Sequence, residues 1–189
     1  MTARPRHHFP YSNYSAILLN NGKTEEAHSF GQKALDIDSA YSLGWSNQGL
    51  VMLALGDTAR GIEYFQKAKA LSNESIEPFT NLGRIALSRN QLAYAWREYS
   101  DALWINPNSP KAAFNLGVVH YRLGEKDLAL KMFRRTGEID PSHVSSFVNV
   151  SAILLEKGDQ AGGVAALRKA AELGSAEAQR VLLRMESGR

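Results

Sequence analysis

The chain has 189 residues, a length that suits one domain or a short array of repeats. Its residues are 44% hydrophobic and 22% charged, no apolar run reaches the roughly 18 residues of a membrane helix, and no cysteine is present to form a disulfide, a thiolate nucleophile or a thiolate metal site. The net charge is only +3 and like charges are not gathered into blocks, which argues against a nucleic-acid footprint.

The opening residues 1–7 are basic, with no apolar stretch behind them. They read as a flexible segment rather than a secretory signal, His7-His8 included, and the cytoplasm is the expected compartment. From residue 8 a period takes over. Gly22, Gly56, Gly124 and Gly158 are spaced by 34 residues or a multiple of it, and Asn90 fills the remaining slot. Ser15, Gly49, Gly83, Gly117 and Ser151 make a second column, and Ala27, Gly61, Ala95, Ala129 and Gly163 a third. The period divides the chain into 8–41, 42–75, 76–109, 110–143 and 144–177.

Each unit predicts two short amphipathic helices, with apolar residues recurring every three or four positions. In the first, Gly31 stands where a large residue is expected. In the second, Trp45 and Phe65 fall at apolar positions and read as core. The third predicts helices over 76–89 and 91–106, with Trp96 also read as core. Pro107, and Pro141 one period later, stop the second helix of the third and fourth units. The Gly or Asn between paired helices supplies a positive φ. The small columns let the paired helices approach closely. The fifth unit has a weaker second helix around Gly162-Gly163, so fraying is expected at both ends of the array. Residues 175–186 then predict a capping helix with Ala178, Val181, Leu182 and Met185 on its packed face.

These residues resemble the tetratricopeptide repeat family, whose pattern is an aromatic, Leu-Gly, an aromatic, Ala, an aromatic and Pro. The clearest match is Phe79, Leu82-Gly83, Ala95, Tyr99, Ala102 and Pro107, and the resemblance runs from residue 8 to 177. It implies an all-α, right-handed superhelical solenoid of antiparallel helix pairs, with first-helix residues lining a concave face. It also implies a protein or peptide partner, bound extended in that groove. The sixth residue of every unit is asparagine: Asn13, Asn47, Asn81, Asn115 and Asn149. In the family this position faces the groove, where a carboxamide can give and accept a hydrogen bond together. A repeat consensus without a binding role is the alternative reading of this column.

Leu50, Arg84, Lys111, Phe114, Val118 and Tyr121 are further groove candidates; several of them are equally suited to packing between helices. The two-carboxylate clamp of chaperone-tail binders does not fit, because only Asn81 and Lys111 match it. Trp104 falls where the family usually has a charged residue and is a candidate contact for a partner or a second copy; folding onto the loop before Pro110 is the alternative.

No catalytic spacing stands out. The histidines are scattered, His120 reads as packed, and no metal or cofactor is expected. The leading expectation is a non-enzymatic scaffold or adaptor. One alternative is a structural homo-oligomer joined through its terminal repeats and C-terminal helix. Another is the recognition array of a larger enzyme whose catalytic domain lies elsewhere.

Overall fold

The computed structural model describes residues 8–72 and 74–187, so the basic segment 1–7 lies outside the described residues. Those residues form eleven α-helices: α1 His8–Asn20, α2 Thr24–Ile37, α3 Ser42–Ala54, α4 Thr58–Leu71, α5 Glu77–Ser88, α6 Leu92–Ile105, α7 Pro110–Arg122, α8 Lys126–Ile139, α9 Val144–Glu156, α10 Gln160–Glu172 and α11 Ala176–Glu186. Contacts divide the chain into two compact units, one ending at Leu82 and one beginning at Gly83, so the division falls inside α5.

The punctuation expected from the glycine column is present. Gly22, Gly56, Gly124 and Gly158 take φ between 75° and 84°, and Asn90 takes φ 56° in the slot without glycine. Short polar side chains start several helices by accepting an otherwise orphaned backbone N–H. Asp57 accepts from Arg60, Ser109 from Ala112, Asp159 from Gly162 and Ser175 from Ala178. Pro110 opens α7, where its missing N–H costs nothing.

In the first unit α1 packs on α2 and α3 on α4. Leu18, Ala27, Val51 and Met52 form a core cluster, flanked by Leu19, Phe30 and Tyr64. A Cβ on Gly49 would lie 2.6 Å from the Phe65 ring, so only glycine lets this ring seat against α3. Gly31 has a different logic. A Cβ there would lie 1.6 Å from Gln48 Nε2, and the buried Gln48 carboxamide fills the space that a large residue at position 31 would take. Gln48 Oε1 accepts from His28 Nδ1 at 2.8 Å, and its Nε2 donates to the His28 carbonyl at 3.2 Å. His8, expected in a flexible segment, is instead the buried first residue of α1. Its ring sits 4.5 Å from Tyr41 and its Nδ1 lies 3.6 Å from Asp38.

In the second unit the same ring-on-glycine seat recurs, with Tyr99 against Gly83 and Phe133 against Gly117. One cluster gathers Ala86, Ala95, Tyr99, Leu116 and Val119, with Leu103 and Met132 packed on it. The next gathers Ala129, Leu130, Phe133, Val150, Ile153 and Leu154. α11 covers α10 through Ala178, Val181 and Leu182, as a capping helix should; Met185 is exposed rather than packed. Two further expectations are corrected. Trp45 is only half-buried, its ring over Tyr64 and its indole N–H donating to the Ser39 carbonyl. Trp96 is 46% exposed on α6 and is not core.

Candidate functional site

In the first unit Asn13 is exposed on α1 and Asn47 is half-buried on α3, where its Nδ2 donates to Ser12 Oγ at 3.2 Å. Leu50 is half-buried one turn further along α3. Asn81, on α5, is only 6% exposed, so little of its carboxamide meets solvent. These three asparagines share a repeat position but differ in what they can offer a ligand.

The second unit brings more of the candidate residues together. On α7, Lys111, Asn115, Val118 and Arg122 recur at three- and four-residue spacing and share one face. On α9, Ser145, Asn149, Ala152 and Glu156 do the same one period later. α7 and α9 are neighbours, because Tyr121 on α7 donates its hydroxyl to Glu156 Oε1 at 3.1 Å and the Phe114 ring lies 4.7 Å from His143, which caps α9. Two parallel rows thus lie side by side, each with an asparagine near its middle. Asn115 Nδ2 donates to the Lys111 carbonyl at 2.8 Å, and Asn149 Nδ2 donates to the Ser145 carbonyl at the same distance. Each carboxamide is therefore tied to its own helix, and Oδ1 with the second N–H is what it has left for a ligand.

The flanks of this strip are fixed by charge and packing. Lys126 Nζ lies 2.9 Å from Glu156 Oε2, so Glu156 holds both Lys126 and the Tyr121 hydroxyl. The Lys126 bond first, and the Tyr121 bond after it, hold the Glu156 carboxyl below its ordinary pKa. Arg122 reaches back along the array to donate to the Leu87 carbonyl at 2.9 Å. Phe114 and Val118 are half-buried against the core cluster below and form its floor, while Lys111 and Arg84 are exposed. Glu156 was absent from the candidates read from sequence. Its partners, Tyr121 and Lys126, are 35 and 30 positions away, and only helix stacking joins them. Trp104 stands clear of this strip, 80% exposed on α6, and so does not fold onto the following loop. His120 is packed as expected, its Nδ1 2.6 Å from Glu125. Among the described residues, no group of three or more His, Asp or Glu side chains is placed to hold a metal ion. No helix among them is long and apolar enough to cross a membrane.

The family model described as tetratricopeptide repeat matches residues 80–144. No curated protein matches the sequence. Solved structures do. YrrB, described as a tetratricopeptide-repeat protein with an unusual peptide-binding site, is 26% identical with a TM-score of 0.71, over 91% of this chain and 90% of its own. MamA is 22% identical with a TM-score of 0.74, over 86% and 95%. PilF of Pseudomonas aeruginosa is 18% identical with a TM-score of 0.82, over 89% and 77%; these last two likenesses speak to the fold alone.

Proposed function

The chain is a tetratricopeptide-repeat protein, an all-α solenoid of helix pairs, and from that premise we propose that it is a protein-interaction scaffold whose α7–α9 face binds a partner peptide in extended form. The observation that carries this reading is the pair of carboxamides, Asn115 and Asn149, each pinned to its own helix and repeated on adjacent first helices. A peptide backbone presents N–H and C=O groups at short regular intervals, which is what two such carboxamides can meet without reading side chains. Val118, Ala152 and the edge of Phe114 give apolar contact, and Lys111 favours an acidic group on the peptide. The peptide-binding description of YrrB is in keeping with this reading, as is the family resemblance.

Hydrogen bonds alone do not make the complex. Each contributes about 0.5–1.5 kcal/mol net, against about 8 kcal/mol for a micromolar affinity, so burial of peptide side chains supplies most of it. The test is a displayed library of random peptides panned on the wild type and on Asn115→Ala/Asn149→Ala. The reading expects enriched peptides that bind the double variant about 5- to 150-fold more weakly, two hydrogen bonds' worth. Equal binding to both proteins would remove the strip as the site.

A second reading is a homo-oligomer joined through the end helices. It is favoured by Leu183, which stands 64% exposed on α11. Light scattering over a range of concentrations decides it: a mass that stays at the monomer value throughout sinks it.

A further inference from the structure

α6 carries a face that peptide binding at α7–α9 leaves unused. Trp96 and Trp104 are 46% and 80% exposed on it, with Ser100 between them. Eight residues of helix rise about 12 Å in about two turns, so both indoles stand on one side of α6. α8 is the next second helix of the array. Leu103 of α6 and Met132 of α8 pack on one cluster, and Arg135 Nη2 donates at 2.7 Å to the Pro107 carbonyl just past the end of α6. The repeat period gives Leu130, Arg134 and Glu138 of α8 the positions that Trp96, Ser100 and Trp104 hold on α6. Those α8 residues, with Asp127, Lys131 and Arg135, line a cleft of about 550 Å³. Asp127 is already paired with Lys157 and Arg135 with the Pro107 carbonyl, so the cleft offers Lys131 and Arg134 against the single carboxylate of Glu138.

We propose that this α6–α8 face is a second docking surface, and that its occupant is an acidic amphipathic helix of another protein. Its apolar stripe lies on Trp96 and Trp104, and its carboxylates reach Lys131 and Arg134. Two anchors two turns apart match apolar residues at i and i+7 or i+8 of a partner helix, the helix-in-groove mode of recognition. Tryptophan is among the side chains enriched as anchors of such contacts. The excess of cations selects an acidic partner. The chain's own exposed apolar helix end fits poorly, because Leu183 of α11 is flanked by Arg180 and Arg184, which would meet cations. A lipid surface is the poorer match as well, since the cations line a cleft and a headgroup layer is flat.

The experiment pans a library of helix-length random peptides on the wild type, on Trp96→Ala/Trp104→Ala, on Lys131→Glu/Arg134→Glu and on Asn115→Ala/Asn149→Ala. Circular dichroism melts first establish that each variant is folded. Peptides with apolar residues at three- and four-residue spacing and an excess of Asp and Glu are expected on the wild type. The tryptophan and charge-reversal variants should each bind them at least about tenfold more weakly. The asparagine variant should bind them as the wild type does, which separates this surface from the α7–α9 strip. The proposal is overturned by a wild type that enriches no such class, by peptides without the acidic excess, or by binding that survives loss of the tryptophans. Tryptophan-dependent sedimentation with phosphatidylserine-containing vesicles also overturns it, and assigns the face to a membrane.

Discussion

Tyr99 is fully buried, its ring on Gly83, and its hydroxyl has no hydrogen-bond partner among the described residues. Burial pushes the phenol up to about 12, with a smaller opposing pull from Arg84. The raised value means that the neutral form is favoured in the fold. That contribution to stability is whole below the unfolded value near 10.0 and is lost as pH rises toward about 12. Tyr99→Phe should therefore leave the neutral-pH melting temperature unchanged or raise it, by up to about 1 kcal/mol of stability. It should also lose less stability than the wild type between these two pH values. A variant that melts markedly earlier at neutral pH would show that the hydroxyl has a partner after all. Gly31 and Gln48 make a second residue-scale test. A Cβ at position 31 collides with the Gln48 carboxamide, so Gly31→Ala should cost about 1–3 kcal/mol. Gln48→Ala alone strands His28 and opens a cavity. Together the two changes should cost less than their sum by about 1 kcal/mol or more in chemical denaturation; strict additivity would mean that the two sites do not share this space.

At the scale of elements, most of the fold was legible. A positive φ and a close helix crossing both demand a missing or minimal side chain, so small residues mark turn and seam in the sequence itself. That is why the Gly22 and Gly49 columns located the helix pairs, and why Asn90 could be placed in a positive-φ slot, where the structure has it at 56°. Ser109→Ala should remove the hydrogen bond to the Ala112 N–H and lower stability by about 1 kcal/mol, with Ser109→Asp retaining it. Equal melting temperatures for wild type and Ser109→Ala would contradict a capping role. Periodicity failed where one position is served by different neighbours in different repeats. Trp96 shares its repeat position with Leu130, which is buried, yet the larger Trp96 side chain is left half in water. His8 erred the other way. A short basic opening says nothing of Tyr41 and Asp38, the groups that bury and pair its ring.

For the whole molecule, sequence periodicity put an asparagine in every unit but could not say which were usable. Asn81 is buried, Asn47 is bonded to Ser12, and Asn115 and Asn149 are bonded to their own helices. Those differences arise from packing between elements, which no spacing encodes. The link from Tyr121 through Glu156 to Lys126 was unread for the same reason. Repeats that are alike in backbone thus present unlike surfaces, and function follows the surface rather than the fold. The most direct test of that account is amide chemical-shift mapping on the isotope-labelled chain, titrated with the most enriched peptide that needs Asn115 and Asn149. The predicted shifts centre on Lys111, Asn115, Val118, Asn149 and Ala152, and leave Trp96 and Trp104 unmoved. Shifts centred on α6 and α8, or confined to α1 and α11, would contradict it.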